Sequence, residues 1–153
     1  MHRYVEGTIP LPAAGSDISF TPSHADRFKL ISLYGVLTAS ATVANRRPAL
    51  KALDRSGNVF FAKAVISDQA ASAAVAYSWS SFAAPANAGS TVEDGIVSDG
   101  VPNWWMPAGT QIVTVTANLA AGDKWTALYY TALIYDEAEL RAEIADWISS
   151  QSS

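Results

Sequence analysis

Phe28-Lys29-Leu30-Ile31-Ser32-Leu33-Tyr34-Gly35-Val36-Leu37-Thr38-Ala39-Ser40-Ala41-Thr42 is the stretch on which the fold turns, and it leads into Val43-Ala44-Asn45-Arg46-Arg47-Pro48. Under strict alternation Phe28, Leu30, Tyr34 and Val36 share one face, while Ile31, Leu33, Leu37 and Ala39 share the other. A strand apolar on both faces needs cover on both, from a second sheet or from another chain. At roughly 3.3 Å per residue an unbroken run from Arg27 to Thr42 would reach about 50 Å. A bulge or a switch between sheets is therefore expected near Gly35.

Shorter strands are expected on either side of this run. Arg3–Ile9 and Asp17–Phe20 read as strands before it, separated by Pro10, Pro12 and Gly15. Pro48–Asp54 and Val59–Ile66 flank Asp54-Arg55-Ser56-Gly57-Asn58, a turn signal in which Gly57 is free to take positive φ; together they read as a hairpin. Ser72–Ser80 alternates cleanly, with Ala73, Val75, Tyr77 and Trp79 on one face, and Trp79 and Trp125 read as core. Gln111–Leu119 and Lys124–Tyr135 close the β region, whereas residues 82–102, rich in Ala, Gly, Ser and Asp, read as a long irregular loop. Eight or nine strands with frequent turn signals predict a mainly β, antiparallel β-sandwich, jelly-roll-like, over residues 1–135.

Residues 136–153 differ. Asp136 is placed to cap a helix and Glu139 completes a capping-box-like pattern. Leu140, Ile144, Trp147 and Ile148 recur at i, i+4, i+7 and i+8, which predicts an amphipathic helix over residues 137–150. Five acids against the single base Arg141 put the whole net charge of −4 in this tail, and the body is balanced at nine acids and nine bases.

Composition narrows the function. Only 16% of residues are charged, which is low enough to point to surface buried against a neighbour. The neutral body lacks the basic footprint of a nucleic-acid binder, and no stretch is long and apolar enough to span a membrane as a helix. The N-terminal segment lacks the apolar core of a secretory leader. The absence of cysteine excludes disulfides, thiolate zinc sites and a Cys nucleophile.

Chemistry-bearing constellations are sparse. His2 reads as a residue of a mobile terminus and His24 as a turn residue, without the paired spacing of a metal site. Glu93, Asp94 and Asp99 read as a solvated acidic loop rather than a carboxylate pair across a cleft. There is no Gly-x-Ser-x-Gly elbow and no phosphate-binding loop. No cofactor, metal or enzymatic activity is expected, and a small hydrolase on a jelly-roll frame is disfavoured. Trp104-Trp105 is the better clue, since exposed tryptophan anchors interfaces and stacks on sugar rings, although at least one of the pair reads as core. Arg46 and Arg47 sit at a strand end before Pro48; they read either as a corner satisfying loop carbonyls or Asp54, or as partners for the acidic helix of a neighbouring subunit. The interface candidates are thus Arg46, Arg47, Trp104, Trp105, Leu140, Ile144, Trp147 and Ile148.

Across roughly residues 27–135 the chain also resembles a set of small bacteriophage virion structural proteins. The resemblance is carried by Ala41-Thr42-Val43-Ala44-Asn45-Arg46-Arg47-Pro48, Asp54-Arg55-Ser56-Gly57-Asn58, Pro107-Ala108-Gly109-Thr110-Gln111-Ile112 and Ala121-Gly122-Asp123-Lys124-Trp125. It implies a virion component, a capsid decoration or minor capsid protein or a tail protein, assembled in the host cytoplasm as a homo-oligomer. Its implied partners are other copies of itself and the major capsid or tail proteins. The pattern carries no catalytic residues and does not include the C-terminal helix. The alternative expectation is a glycan- or receptor-binding module of a tail fibre or spike, acting through Trp104, Trp105 and the 82–102 loop.

Overall fold

The computed structural model describes residues 2–22, 27–81, 91–93 and 96–151. These form strands β1 (His2–Thr8), β2 (Ser19–Phe20), β3 (Arg27–Thr38), β4 (Arg47–Leu53), β5 (Val59–Ala64), β6 (Ala74–Ser80), β7 (Thr91–Glu93), β8 (Ile96–Gly100), β9 (Met106–Pro107), β10 (Gln111–Ala117) and β11 (Lys124–Tyr135), then helix α1 (Glu137–Gln151). One sheet runs β1-β11-β3-β6-β8-β7, with β9 also paired to β3; the other runs β2-β10-β4-β5.

With β7, β8 and β9 set aside, eight strands remain. They divide as β1-β11-β3-β6 and β2-β10-β4-β5, so that the first strand lies beside the last and consecutive strands mostly change sheet. That is the jelly-roll arrangement of a β-sandwich. A single core lies between the sheets. Phe28, Leu30, Leu33, Leu37, Tyr77, Trp79, Trp125, Leu128 and Ile134 come from the larger sheet, and Leu50, Ala52 and Ile112 from the smaller. Trp79 and Trp125 are buried as the sequence indicates.

The long strand does not have two core faces. Thr131 pairs with Ser32, but Ala132 pairs with Leu30, so Ile31 is an extra residue on β3. That bulge shifts the alternation by one. Phe28 and Leu30 before it, and Leu33, Gly35, Leu37 and Ala39 after it, then all point into the same core. A second bulge does fall opposite Gly35, but on the partner strand: Thr126 pairs with Val36 and Tyr129 with Tyr34, which leaves Ala127 and Leu128 facing one glycine. A Cβ on Gly35 would lie 2.5 Å from the Leu128 side chain, so the glycine makes room for the bulged residue. The strand ends at Thr38, not Thr42.

Three further expectations change. The 82–102 segment is not wholly irregular, because β8 pairs parallel with β6, and the larger sheet is therefore mixed rather than antiparallel throughout. Asp99, expected in a solvated loop, is buried on β8 with Lys63 Nζ 3.6 Å away. His2 opens β1 instead of lying in a loose terminus. His24 and Asp94, and residues 82–90 of the expected loop, lie outside the described residues.

Candidate functional site

The corner at Asn45-Arg46-Arg47-Pro48 is an internal node. Arg46 is fully buried. Its Nε donates to Asp123 Oδ2 at 2.9 Å and its Nη2 to Asp123 Oδ1 at 3.1 Å. Its Nη1 donates to the carbonyls of Thr42 (2.8 Å) and Ala44 (2.6 Å). Asp123 also accepts from the amides of Ser40 and Ala120. Burial pushes the Asp123 carboxyl up, but the bonds from Arg46, Ala120 and Ser40 outweigh it and hold the group well below the usual carboxylate range.

Arg46 and buried Gln69 exchange backbone hydrogen bonds. The Gln69 side chain donates to the carbonyls of Leu37 and Ala73 and accepts from the Tyr77 hydroxyl. Burial, with Asp68 second, raises the Tyr77 phenol to about 12. The expectation that Arg46 reaches a neighbouring subunit therefore gives way to an intrachain role, and its acidic partner is Asp123 rather than Asp54. Asp54 caps its own turn through Asn58 and Ser56. Arg47 does face solvent, half-exposed, and pairs with Asp68 at 2.7 Å.

The tryptophan pair sits just before β9, and neither ring is core. Trp104 is 48% exposed, with the edge of Phe61 at a centroid distance of 6.4 Å. Trp105 is half-buried over a different part of the surface. Its ring lies 5.0 Å from His2 and 6.3 Å from Tyr135, with Lys29 Nζ 5.1 Å above it.

Strand register explains that cluster. His2 is opposite Tyr135, and Tyr135 is opposite Arg27; one step inward, Tyr4 is opposite Leu133, and Leu133 is opposite Lys29. Residues directly opposite share a face, so these six side chains form two cross-strand rows at one end of the larger sheet's outer surface. The Arg27 guanidinium lies 5.8 Å over the Tyr135 ring. His2, Arg27, Trp105 and Tyr135 line a depression of ≈ 210 Å³. Among the described residues neither Arg27 nor Lys29 forms an ion pair with a carboxylate. Sequence reading missed this surface because its cations and rings come from three strands and a turn; the polar positions Arg27 and Lys29 at the start of an apolar strand were the only visible trace.

A single residue, Asp136, separates β11 from the helix. Asp136 Oδ1 accepts from the amides of Ala138 (2.9 Å) and Glu139 (3.1 Å), the cap the sequence predicts. No residue of α1 is buried, and it packs on none of the described strands. Leu140 is half-buried, while Ile144, Trp147 and Ile148 are exposed, Trp147 at 65%. The structure thus brings Trp105 together with a cationic row and leaves Ile144, Trp147 and Ile148 exposed on the helix beside the half-buried Leu140, but does not join these two groups within the chain.

Among the described residues no set of three His, Cys, Asp or Glu side chains is placed to hold a metal ion, and no helix is long and apolar enough to cross a membrane.

No protein-family model matches the chain, and no curated protein matches it. Solved structures similar to it include that of infectious bursal disease virus Gx strain (10% identity, TM-score 0.31, covering 86% of this chain and 31% of that one). They also include a mutant VP2 protein of the same virus in derived T=1 particles (12% identity, TM-score 0.34, covering 87% and 32%), and the Gt strain (13% identity, TM-score 0.32, covering 87% and 32%). The chain spans about a third of the length of the solved chains it matches.

Proposed function

We propose that this chain is a structural subunit of a virus particle, of the bacteriophage kind that its motifs resemble. It would serve as a capsid decoration or minor capsid protein or as a tail component, and work by association with its own copies and with major capsid or tail proteins. The observation that carries the reading is α1: a capped helix with an uncovered apolar stripe, attached to a sandwich against which it does not pack. An apolar stripe of this kind is stabilised when a partner removes it from water, at roughly 1.5–3 kcal/mol per large side chain. Many weak contacts on a symmetric lattice then combine through avidity. The buried polar groups described above are committed to holding the corner between strands, which is structural work rather than turnover. The test is the mass and symmetry of the purified chain by light scattering and electron microscopy, together with its location in purified particles. A chain that stays monomeric and is absent from particles would remove this reading.

The alternative, a glycan- or receptor-binding module, is favoured by one observation: Trp104 presents nearly half its surface to solvent beside Phe61. Sugar binding that disappears in Trp104→Ala but survives deletion of α1 would support it.

A further inference from the structure

The acidic face of α1 and the cationic rows of the sandwich are complementary. At about 100° per residue, Glu139, Glu143 and Asp146 fall within a sector of about 60° on the helix, and Trp147, Leu140 and Ile144 follow it directly around the circumference. The helix thus carries an acidic ridge with an apolar ridge at its side. Among the described residues Glu139, Glu143 and Asp146 form no ion pair; Arg141 pairs with Glu137. On the sandwich, Arg27 and Lys29 are two residues apart on one face of β3, about 6.6 Å, and Glu139 and Glu143 are separated by about 6 Å along the helix. Beside the two cations lie the apolar surfaces of Trp105, Tyr135, Leu133 and Tyr4. The charged and apolar surfaces of the two elements are therefore spaced at matching intervals.

We propose that α1 of one subunit lies across the Arg27–Lys29–Trp105–Tyr135 surface of a second copy, with Glu139 and Glu143 against the two cations and Trp147 and Leu140 against the rings. This inference rests on the reading of the chain as a self-assembling subunit and names the contact. The helix cannot reach its own chain's surface. It starts two residues after Tyr135, which is part of that surface, and Asp136 alone would have to reverse the chain while its carboxylate caps the first turn. In this contact the recipient of the acidic helix is the pair Arg27 and Lys29, in place of Arg46 and Arg47.

The experiment uses the full chain and two charge-reversed variants, Arg27→Glu with Lys29→Glu and Glu139→Lys with Glu143→Lys, each first shown by thermal melting to fold like the native protein. Sedimentation equilibrium should show each variant alone associating about tenfold or more weakly than the native chain, and an equimolar mixture recovering association, because each contact in the mixed species is again between opposite charges. Association of the native chain should also weaken between about 0.1 M and 1 M salt, where the screening length falls from about 10 Å to 3 Å. Since the chain has no cysteine, Lys29→Cys with Glu143→Cys should oxidise to a covalent dimer. Native-like association of both variants, a mixture that stays dissociated, or a disulfide closing within one chain overturns the inference and leaves the assembly reading intact. A native chain that does not associate at all overturns the assembly reading, and the contact with it.

Discussion

Arg46 and Asp123, 77 residues apart, form a two-point ion pair with both side chains wholly out of solvent. The segments Val43-Ala44-Asn45-Arg46-Arg47-Pro48 and Ala121-Gly122-Asp123-Lys124-Trp125, far apart in sequence, are thus the two halves of one contact. The arginine ties the corner before β4 to the turn before β11, and the carboxylate accepts hydrogen bonds from the Ser40 and Ala120 amides at the starts of both loops. A two-point arginine–carboxylate fork fixes direction as well as distance.

Removing one member of this pair leaves a buried charge without its partner. Arg46→Ala or Asp123→Ala should therefore destabilise the fold by about 3–5 kcal/mol. Arg46→Lys should recover only part of the loss, because an ammonium cannot reproduce the fork or reach the carbonyls of Thr42 and Ala44 at the same time. Urea midpoints with unchanged slopes measure this directly; a lysine variant as stable as the native chain would show that the fork geometry is not needed.

The same pair sets an acid response. The Asp123 carboxyl is held below its ordinary value in the folded state, whereas in the unfolded chain it titrates near about 3.9. Above that pH the carboxylate is charged in both states and its stabilisation is fully present. As pH falls below about 4 the unfolded chain takes up the proton first, so stability is lost progressively until the folded carboxyl also protonates. The stability gap between the native chain and Asp123→Asn should accordingly narrow as the pH is lowered from 5 towards 2, by roughly 1.4 kcal/mol per unit at the steepest. A gap that widens on acidification would mean that another group controls the response.

Much of the sandwich was legible because its signals are local. The Asp54–Asn58 turn, the alternation of β10 and the Asp136 cap each depend on residues within a few positions of one another. The phase of β3 was not legible in the same way. Ile31 is as apolar as its neighbours, and nothing in its chemistry marks it as the extra residue; only pairing with β11 reveals the slip. The expected irregularity at Gly35 was correctly located along the chain but is a bulge on the opposite strand, since a glycine can signal either its own freedom or the bulk of what lies over it. The cationic rows were hidden for a related reason: His2, Arg27 and Tyr135 become neighbours only through the jelly-roll order of β1, β11 and β3.

Gly15 supports the Arg46–Asp123 node from the other side. Its φ is +75°, its amide donates to the Asp123 carbonyl at 2.8 Å, and a Cβ there would lie 2.8 Å from the Ala121 backbone. Gly15→Ala should cost about 1–3 kcal/mol through left-handed strain and the backbone clash. Gly57 has similar dihedral needs but open space around it, so Gly57→Ala should cost no more than about 1–2 kcal/mol. Equal losses at the two positions would show that the Ala121 contact adds nothing.

The separation between the sandwich and α1 predicts a separation between stability and assembly. No residue of the helix is buried and none of the strands packs on it, so Trp147→Ala should change the unfolding free energy by less than about 0.5 kcal/mol, as expected for a surface position. Ending the chain after Tyr135 should likewise leave the sandwich folded, because its core lies entirely among the strands and loops before α1. Association should respond in the opposite way, since Trp147 is the largest apolar side chain exposed on the helix. Thermal unfolding and sedimentation of the same two variants measure both properties. A large loss of thermal stability in either variant would place the helix against the body of its own chain; unchanged stability with weakened association would assign its apolar stripe to a neighbour.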